Sequence, residues 1–341
     1  MQASPRTRCG TLPALLLGSL LWLSGAHAEG NVEAAILEWT VWPLPGIVNV
    51  EDGKPTDGIT MVGVRMLMAQ LPDLQPEFRL ANRLRQQRNM GMGHEFCSIP
   101  LLRRSDTDQV GYFIPFMAST PIQAVIRKAD LARYPLEDGR LSLQRLVEET
   151  ELRGGLSAFR TYPPGIEAWF HKAQTVDRAE YITGHQGGEN LLLMVSHGRL
   201  DLTFEFATIT RAMSQRLRMK EPLLSLPVHE QRALVESGMY CTRSEWGRAM
   251  AERLDQAVRT VVADTDTFLP LYDQWVPAET YQAYATELAD YYRQRARQPT
   301  IFGPPVSFPA DVPAPADDTD PDAGENSLSE TPQGAEPSPA L

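Results

Sequence analysis

Residues 35–46 read AILEWTVWPLPG, an apolar and aromatic run that is stopped by two prolines and a glycine. Such a run, bounded by Pro and Gly, is typical of a β-strand. Outward from it, apolar residues recur at helical spacing over 59–70, and two more strand patterns flank a second helical segment. The order predicts a βαβαβ unit. Its members are strand Ala35–Trp42, helix Ile59–Gln70, strand Gln75–Leu80, helix Asn82–Met92 and strand Glu95–Leu102.

A second, smaller α/β unit is predicted after an extended connection at Ile122–Arg127. It consists of helix Leu143–Glu149, strand Gly155–Phe159, helix Pro164–Lys172, strand Glu180–Thr183, helix Asn190–His197 and strand Leu200–Phe206. The chain then returns through an extended piece at Gly238–Thr242. Three helices follow, at Glu245–Val262, Asp266–Trp275 and Ala278–Arg297, and we expect them to pack back on the first unit. The alternation of strands and helices favours largely parallel sheets.

The predicted fold class is therefore α/β, with two lobes joined by two extended crossovers and a cleft between them. We expect the first part of lobe 1 at 29–123, lobe 2 at 124–236 and the helical second part of lobe 1 at 237–302. Interlobe clefts of this kind bind small ligands and close by a hinge.

Both ends of the chain differ from this body in composition. Residues 1–28 carry Arg6 and Arg8, an apolar run from Leu12 to Leu23 and an Ala-His-Ala end, which is the layout of a secretory signal peptide cleaved after Ala28. The apolar run is shorter than the roughly 20 residues that span a bilayer, which disfavours a membrane anchor. Residues 303–341 hold nine prolines, eight acidic residues and no Lys or Arg, and are predicted to be a disordered acidic tail.

The balance of charge argues against nucleic acid and anionic membranes as partners. The 341 residues include 43 acidic and 32 basic side chains, giving a formal net charge of -11. A chain of this sign without a long Lys/Arg block is poorly suited to a phosphate backbone. The 43% hydrophobic content is sufficient for a globular core.

Two cysteines remain after the predicted cleavage, Cys97 and Cys241. In an oxidising compartment such a pair is more often bridged than free, and a bridge across so long a loop is worth roughly 4 kcal/mol on the chain-entropy model. Two buried thiols are the alternative, because connectivity does not follow from sequence alone.

Catalytic and cofactor signatures are missing from the sequence. It has no Gly-x-Ser-x-Gly elbow, P-loop, His-Glu-x-x-His or dinucleotide fingerprint, and its six histidines show no metal-ligand spacing. We therefore expect no enzyme activity, no metal and no cofactor. A helical arginine cluster at Arg83, Arg85 and Arg88 is interpreted as a solvated face.

One short segment does carry binding chemistry. Arg160, Thr161 and Tyr162 lie between a predicted strand and the helix that starts at Pro164, where free backbone N–H groups and the guanidinium favour a carboxylate or phosphate. An ordinary capped loop is the alternative. Trp42, beside the first turn, either forms an aromatic wall of the cleft or belongs to the core.

The order of several short motifs resembles the periplasmic solute-binding proteins of family 3, in a divergent branch, over roughly Glu38 to Trp275. The motifs are Trp42-Pro43-Leu44-Pro45, Phe96-Cys97-Ser98-Ile99-Pro100-Leu101-Leu102, Tyr112-Phe113-Ile114-Pro115-Phe116, Gly198-Arg199-Leu200-Asp201 and Met239-Tyr240-Cys241. The family is best known for delivering polar amino acids to ABC transporters. The resemblance implies two lobes that close on a small solute without making or breaking a bond.

The resemblance also implies a set of ligand-binding positions. In lobe 1 these are Trp42, Pro43, Arg103, Arg104 and Ser105; in lobe 2 they are Arg160, Thr161, Tyr162 and Glu205, the last as a partner for a ligand cation. One position departs from the family, because Ser105-Asp106-Thr107-Asp108 places Asp108 where the family's Thr-x-x-Arg has the arginine that clamps the ligand carboxylate.

These observations together predict a monomeric periplasmic solute-binding protein. It would capture a small polar solute, amino-acid-like or another charged metabolite, and present its closed form to an ABC transporter permease or a membrane sensor. Two alternatives remain open: a structural or assembly factor with a vestigial cleft, and an enzyme on the same scaffold.

Overall fold

The computed structural model describes residues 34–158, 160–183 and 187–308; the predicted signal peptide and most of the predicted tail lie outside these ranges. The first third of the chain forms the predicted βαβαβ unit and three further strands, with a 3-10 helix at Thr107–Gln109. Its elements are β1 (Ala35–Val41), β2 (Val50–Glu51), β3 (Lys54–Pro55), α1 (Ile59–Met68), β4 (Leu74–Leu80), α2 (Arg83–Gly91), β5 (Cys97–Leu102) and β6 (Gly111–Pro115).

The middle of the chain forms a second α/β unit that begins with the predicted connecting strand. After that strand a 3-10 helix covers Lys128–Arg133. Its elements are β7 (Gln123–Arg127), β8 (Leu136–Glu137), β9 (Arg140–Leu141), α3 (Leu143–Glu149), β10 (Gly154–Ser157), α4 (Pro164–Gln174), β11 (Ala179–Ile182), α5 (Gly187–Ser196), β12 (Leu202–Glu205), α6 (Ala207–Arg216) and β13 (Leu223–Leu226).

The last third returns to the first sheet and ends in helices. Its elements are β14 (Ser237–Thr242), α7 (Glu245–Ala263), α8 (Thr265–Phe268), α9 (Pro270–Trp275) and α10 (Ala278–Arg297). The sequence predicted one helix over Asp266–Trp275, and the structure divides it at Pro270, which occupies the first turn of α9. Proline has no N–H to donate and therefore starts a helix more easily than it continues one.

Two five-stranded sheets organise the described residues. Lobe 1 is built on the sheet β4-β1-β5-β14-β6 and lobe 2 on the sheet β11-β10-β12-β7-β13. The chain crosses from the first sheet to the second between β6 and β7, and it returns between β13 and β14, so the predicted two extended crossovers are confirmed. The exact domain bounds drawn from the sequence stay a prediction.

The prediction of largely parallel sheets needs correction, because both sheets are mixed. β4, β1 and β5 run parallel, but β14 pairs antiparallel with both β5 and β6. In lobe 2, β7 pairs antiparallel with β12 and β13. The strands that run opposite to the others, β14 and β7, are the ones that carry the chain into a lobe. A strand that follows directly on a crossover has no helix to reverse it, so it enters its sheet in the opposite direction.

Each sheet has its own apolar core. In lobe 1 the core combines Trp39 and Leu37 of β1 with Leu254 of α7 and Tyr284 of α10, all fully buried. The terminal helices therefore pack on the first unit, as predicted. In lobe 2 the largest buried member of the core is Trp169 of α4, which packs edge to face on Phe204.

A disulfide joins Cys97 of β5 to Cys241 of β14, which confirms the pairing predicted for the two cysteines. The two residues are directly opposite each other in the antiparallel ladder, with Cα atoms 4.1 Å apart, and both are fully buried. The link therefore lies in the centre of the lobe 1 sheet.

The first residues of the predicted disordered tail are ordered against lobe 1. The backbone N–H of Val306 donates to the carbonyl of Arg243 at 2.9 Å, and the Arg243 guanidinium donates to the carbonyl of Pro304 at 3.0 Å. Phe308 packs against Gly93, where a Cβ would come within 2.7 Å of its ring. A tail beginning at Gly303 is therefore wrong for residues 303–308, and residues 309–341 lie outside the described part of the chain.

Candidate functional site

A cavity of about 430 Å³ lies between the two lobes. This volume falls within the range of small-molecule sites in proteins. Its apolar wall includes Trp42, Leu44, Ile59, Met117, Phe206 and Val276. Hydroxyl groups are interspersed with this wall, from Thr60, Ser119, Thr120, Ser157, Thr161 and Thr208.

The cavity lies where parallel strands of both sheets end. Trp42 follows the last residue of β1, and Arg104 lies two residues after the end of β5. On the other lobe, Arg160 lies three residues after β10 and Phe206 directly after β12. The carboxyl ends of strands in open α/β sheets are the usual place for ligands, because loops from several strands meet there.

Arg104 brings a cationic group from lobe 1 to the cavity. Its backbone N–H donates to the phenolic oxygen of the buried Tyr240 at 3.0 Å, which fixes the loop after β5. Within 34–158, 160–183 and 187–308, the Arg104 guanidinium has neither a hydrogen-bond acceptor nor an ion-pair partner. The charge of this half-buried side chain is thus available to a ligand.

Asp108, which the resemblance places at the position of the family's clamping arginine, does not line the cavity. Its carboxylate accepts from the hydroxyl of Tyr240 at 2.6 Å and from Nε of Arg103 at 3.1 Å. Burial raises the pKa of Tyr240, and the hydrogen bond to Asp108 adds to that rise. Arg103 also lies 3.7 Å from Glu236 and over the ring of Phe113. The negative charge is therefore compensated outside the cleft.

Arg83 is a second cation of lobe 1 at the cavity, although its helical pattern predicts a solvated position. It is the first residue of α2, whose N-terminus is capped by the side chain of Asn82. Its guanidinium donates to the neutral amide oxygen of Gln87 at 3.2 Å. The interpretation of the α2 arginines as a solvated face is therefore wrong for Arg83, although Arg88 is exposed.

Lobe 2 contributes an ion pair between Arg160 and Glu205. The Arg160 guanidinium donates to Oε1 of Glu205, and the N–H of Phe206 donates to the same oxygen at 2.7 Å. The Glu205 side chain is 4% exposed, whereas that of Arg160 is 28% exposed. Burial lowers the pKa of Arg160, but the Glu205 carboxylate outweighs burial and keeps that pKa above its ordinary value.

This pairing bears on the role predicted for Glu205. Its carboxylate is already bonded to a guanidinium and a backbone N–H, so its charge is neutralised before any ligand arrives. Gly188, in the first turn of α5, lies beside the pair, where a Cβ would be in ordinary van der Waals contact with Oε2 of Glu205, at 3.5 Å. At the cavity, Arg160 is the exposed member of the pair.

The remaining predicted site residues divide between the cavity and its supports. Thr161 lines the cavity, and the buried Tyr162 accepts a hydrogen bond from the Ser157 N–H at 3.0 Å, which holds the loop after β10. Pro43 lines a second cavity of about 700 Å³ next to the first. Ser105 is exposed and outside the cavity. The structure thus brings together Trp42, Arg104, Arg160 and Thr161.

Several cavity residues had no sequence signal of their own. Thr60 lies in α1, Thr208 in α6, and Ser119 and Thr120 in the first crossover. Their types are common in helices and loops, and only the closing of two lobes places them around one space. In the described parts of the chain, no group of three or more His, Cys, Asp or Glu side chains is placed to hold a metal ion.

Two mixed α/β sheets, two crossovers and a cavity between the lobes make up a two-lobed fold of the periplasmic binding protein type. No protein-family model and no curated protein matches this chain. Several solved structures match this chain in fold. One is the probable amino-acid ABC transporter extracellular-binding protein YtmK from Bacillus subtilis, at 14% identity and a TM-score of 0.54, over 72% of this chain and 99% of that one.

Two further structures support the same fold. One belongs to work on glutathione import via GshT and the cystine importer TcyBC of Streptococcus mutans, at 10% identity and a TM-score of 0.52, covering 71% and 97% of the two chains. The other is a histidine kinase sensor domain similar to periplasmic binding proteins, at 13% identity, a TM-score of 0.50 and coverage of 71% and 95%. The chain has the fold of the family 3 solute-binding proteins, and its sequence is far from these structures.

Proposed function

We propose that this protein is a non-enzymatic solute receptor that acts outside the cytoplasm. It binds one small polar solute between its lobes and presents the closed form to a membrane partner. The observation that carries the proposal is the cavity of about 430 Å³, to which lobe 1 contributes Arg83 and Arg104 and lobe 2 contributes Arg160. A ligand that contacts both lobes binds the closed state more tightly than the open state, and only such a difference shifts the population.

Export and the identity of the partner belong to this proposal. The signal-peptide pattern of residues 1–28 supports a periplasmic location, and the described residues contain no helix long and apolar enough to cross a membrane. The similar folds include a transporter receptor and a sensor domain, so the partner is an ABC permease or a membrane sensor. A monomer suffices, because both halves of the cavity come from one chain.

Native mass spectrometry of freshly purified protein, followed by thermal shift against a broad solute library, tests the proposal. A solute at 100 times its dissociation constant stabilises the folded state by about 2.7 kcal/mol, which raises Tm by roughly 5 to 10 °C in a protein of this size. Arg104→Gln should reduce this shift, whereas Arg88→Gln, on the exposed face of α2, should leave it unchanged.

The two rival functions give different results in the same experiment. No bound molecule and no thermal shift across the library would favour a structural or assembly factor. A solute that is converted to product when it is incubated with the protein would show an enzyme instead. Stoichiometric binding of an unchanged solute supports the receptor.

A further inference from the structure

The charges at the interlobe cavity do not balance. Among the described residues that line it, the ionisable side chains with a fixed charge are Arg83, Arg104 and Arg160. The carboxylate that contacts one of them, Glu205, is bonded to Arg160 and is itself almost fully buried. Arg83 donates to the neutral amide of Gln87 and interacts electrostatically with Asp106, whose carboxylate does not line the cavity, and Arg104 has no partner in the described ranges. Lobe 1 therefore brings two guanidinium groups to the cavity, and in the described ranges neither is in direct contact with a carboxylate.

A partly desolvated cation without a partner selects for an anion. Arginine forms its strongest contacts with carboxylate and other oxyanions, through paired charge-assisted hydrogen bonds. An ammonium group brought into the same cavity would meet three guanidinium groups and no free carboxylate of the described lining. No carboxylate would offset the cost of desolvating the ammonium group, and the guanidinium groups would repel it. The cavity thus distinguishes a plain acid from an amino acid.

The rest of the wall requires a ligand with an apolar part. Trp42 and Leu44 of lobe 1 face the cavity together with Phe206 and Ile209 of lobe 2, and Met117 adds a flexible side chain. Burying an apolar body against such side chains gains about 25 cal/mol per Å². A small inorganic oxyanion would leave this surface unused.

We infer that the solute is an organic acid that carries an apolar body and no amino group, with its carboxylate on Arg104 and Arg83. This inference rests on the proposed receptor function and assigns its ligand class. The carboxylate lies on the lobe 1 side, and the apolar body reaches toward Phe206. Arg160, whose charge Glu205 balances, supplies hydrogen bonds from lobe 2 without adding net charge.

Isothermal titration calorimetry with matched ligand pairs tests the assignment. The pairs are 3-phenylpropanoate with phenylalanine and glutarate with glutamate, each differing only in the α-ammonium group, and inorganic phosphate serves as the purely ionic probe. We expect the acid of at least one pair to bind about tenfold or more tightly than its amino counterpart, and to bind more tightly than phosphate.

Variants locate the interaction. Arg104→Gln and Arg83→Gln should each weaken binding of the acid by about tenfold or more, since each removes a charge-assisted contact. Arg88→Gln lies on the same helix as Arg83 but is exposed, and it should change nothing. An equal loss in all three variants would mean that general electrostatic attraction dominates, and would overturn the assignment to this cavity.

The outcomes separate this inference from the receptor function. Equal or tighter binding of phenylalanine or glutamate would overturn the inference and leave the receptor function in place. Binding of phosphate as tight as that of either acid would overturn the organic part of the assignment. If neither the acids nor any member of the solute library binds, the inference and the receptor function both fail.

Discussion

The guanidinium of Arg140 lies over the ring of Tyr284, 4.9 Å from its centroid, and donates a hydrogen bond to its hydroxyl at 2.9 Å. Arg140 belongs to β9 of lobe 2, and Tyr284 to α10, which packs on lobe 1. Nearby, the hydroxyl of Thr280 donates to the buried side chain of Gln123 at 3.2 Å. The last helix therefore holds both lobes next to the crossovers.

Replacing Arg140 should loosen this connection. Arg140→Met removes the cation–π contact and the hydrogen bond to a hydroxyl, and we expect the free energy of unfolding to fall by about 1 to 3 kcal/mol. Arg248→Met, which breaks an exposed pair with Glu252, should cost under about 0.5 kcal/mol. Urea denaturation of both variants measures the difference, and an equal loss in the two would mean that the interlobe contact contributes nothing.

Contact between the lobes at Gly46 gives a second prediction. This residue has φ +74°, and a Cβ on it would lie 3.0 Å from the carbonyl of Thr208 and from the side chain of Ala212, both in α6 of lobe 2. Gly46→Ala should therefore hold the lobes apart and weaken solute binding several-fold. Gly53→Ala is the matched control, because its φ is +71° and no atom lies within 4 Å.

Comparing the two alanine variants separates backbone strain from interlobe contact. In both variants, the strain of a side chain in the left-handed region lowers the free energy of unfolding by about 1 to 2 kcal/mol. Only Gly46→Ala should also alter binding and the radius of gyration in small-angle X-ray scattering. Identical behaviour of the two variants would contradict the role given to Gly46.

A buried ion pair couples α7 to α10. Asp255 accepts from Arg295 at 2.5 Å and from Arg259 at 3.1 Å, and the Asp255 and Arg295 side chains are 4% and 6% exposed. Arg295→Met alone leaves the carboxylate with Arg259 and the N–H of Thr300 as partners, and should cost about 3 to 5 kcal/mol of stability.

Removing both members of the pair should restore part of that loss. The double variant Asp255→Leu/Arg295→Met replaces two desolvated charges by apolar groups, so its unfolding free energy should exceed the sum expected from the single variants by at least about 1 kcal/mol. Chemical denaturation of the four proteins in this cycle gives the coupling energy, and a value near zero would show that the two residues act independently.

Stability at high pH should depend on Tyr291. Burial, with a smaller effect of Glu236, raises the pKa of this phenol to about 12. In the unfolded chain its pKa is about 10, so the unfolded state releases the proton first as the pH rises. The stabilisation is complete below pH 10 and is lost between about pH 10 and pH 12, and it amounts to about 2 to 3 kcal/mol.

Tyr291→Phe is the variant that isolates this titration. Other buried phenols, Tyr134, Tyr240 and Tyr272, also have raised pKa values and will contribute to unfolding at high pH. We therefore expect the unfolding free energy of the wild-type protein to fall more steeply with pH than that of the variant when both are measured from pH 9.5 to 12. The difference in slope should correspond to about one proton released on unfolding. Parallel curves would rule out a titrating Tyr291.

Much of the fold could be predicted because its elements are bounded by local signals. Helix α10 was predicted at its exact limits, between Pro277 and the basic residues of its last turn. Strand β6 was missed as a strand because GYFIP is buried on both faces and shows no alternation. Helix α6 was missed because Ala207–Arg216 is rich in threonine and holds an isoleucine, residues that favour strands.

The site was less predictable because it depends on which loops meet. Arg103 and Arg104 are adjacent and chemically equal in the sequence, yet the first turns out toward Asp108 and Glu236 while the second faces the cavity. Arg83 gave a helical surface pattern, and only the position of α2 at the mouth of the cleft makes it part of the lining. No sequence motif predicts the hydrogen bond from the Ser157 N–H to the Tyr162 hydroxyl.

The covalent link between Cys97 and Cys241 spans 144 residues and encloses the whole of lobe 2 within one ring of chain. A protease that cuts a single bond in any loop of this ring leaves one connected molecule, because both fragments remain tied through the lobe 1 sheet. Lobe 2 is thus the half of the protein that tolerates a nick without being shed into the surrounding medium.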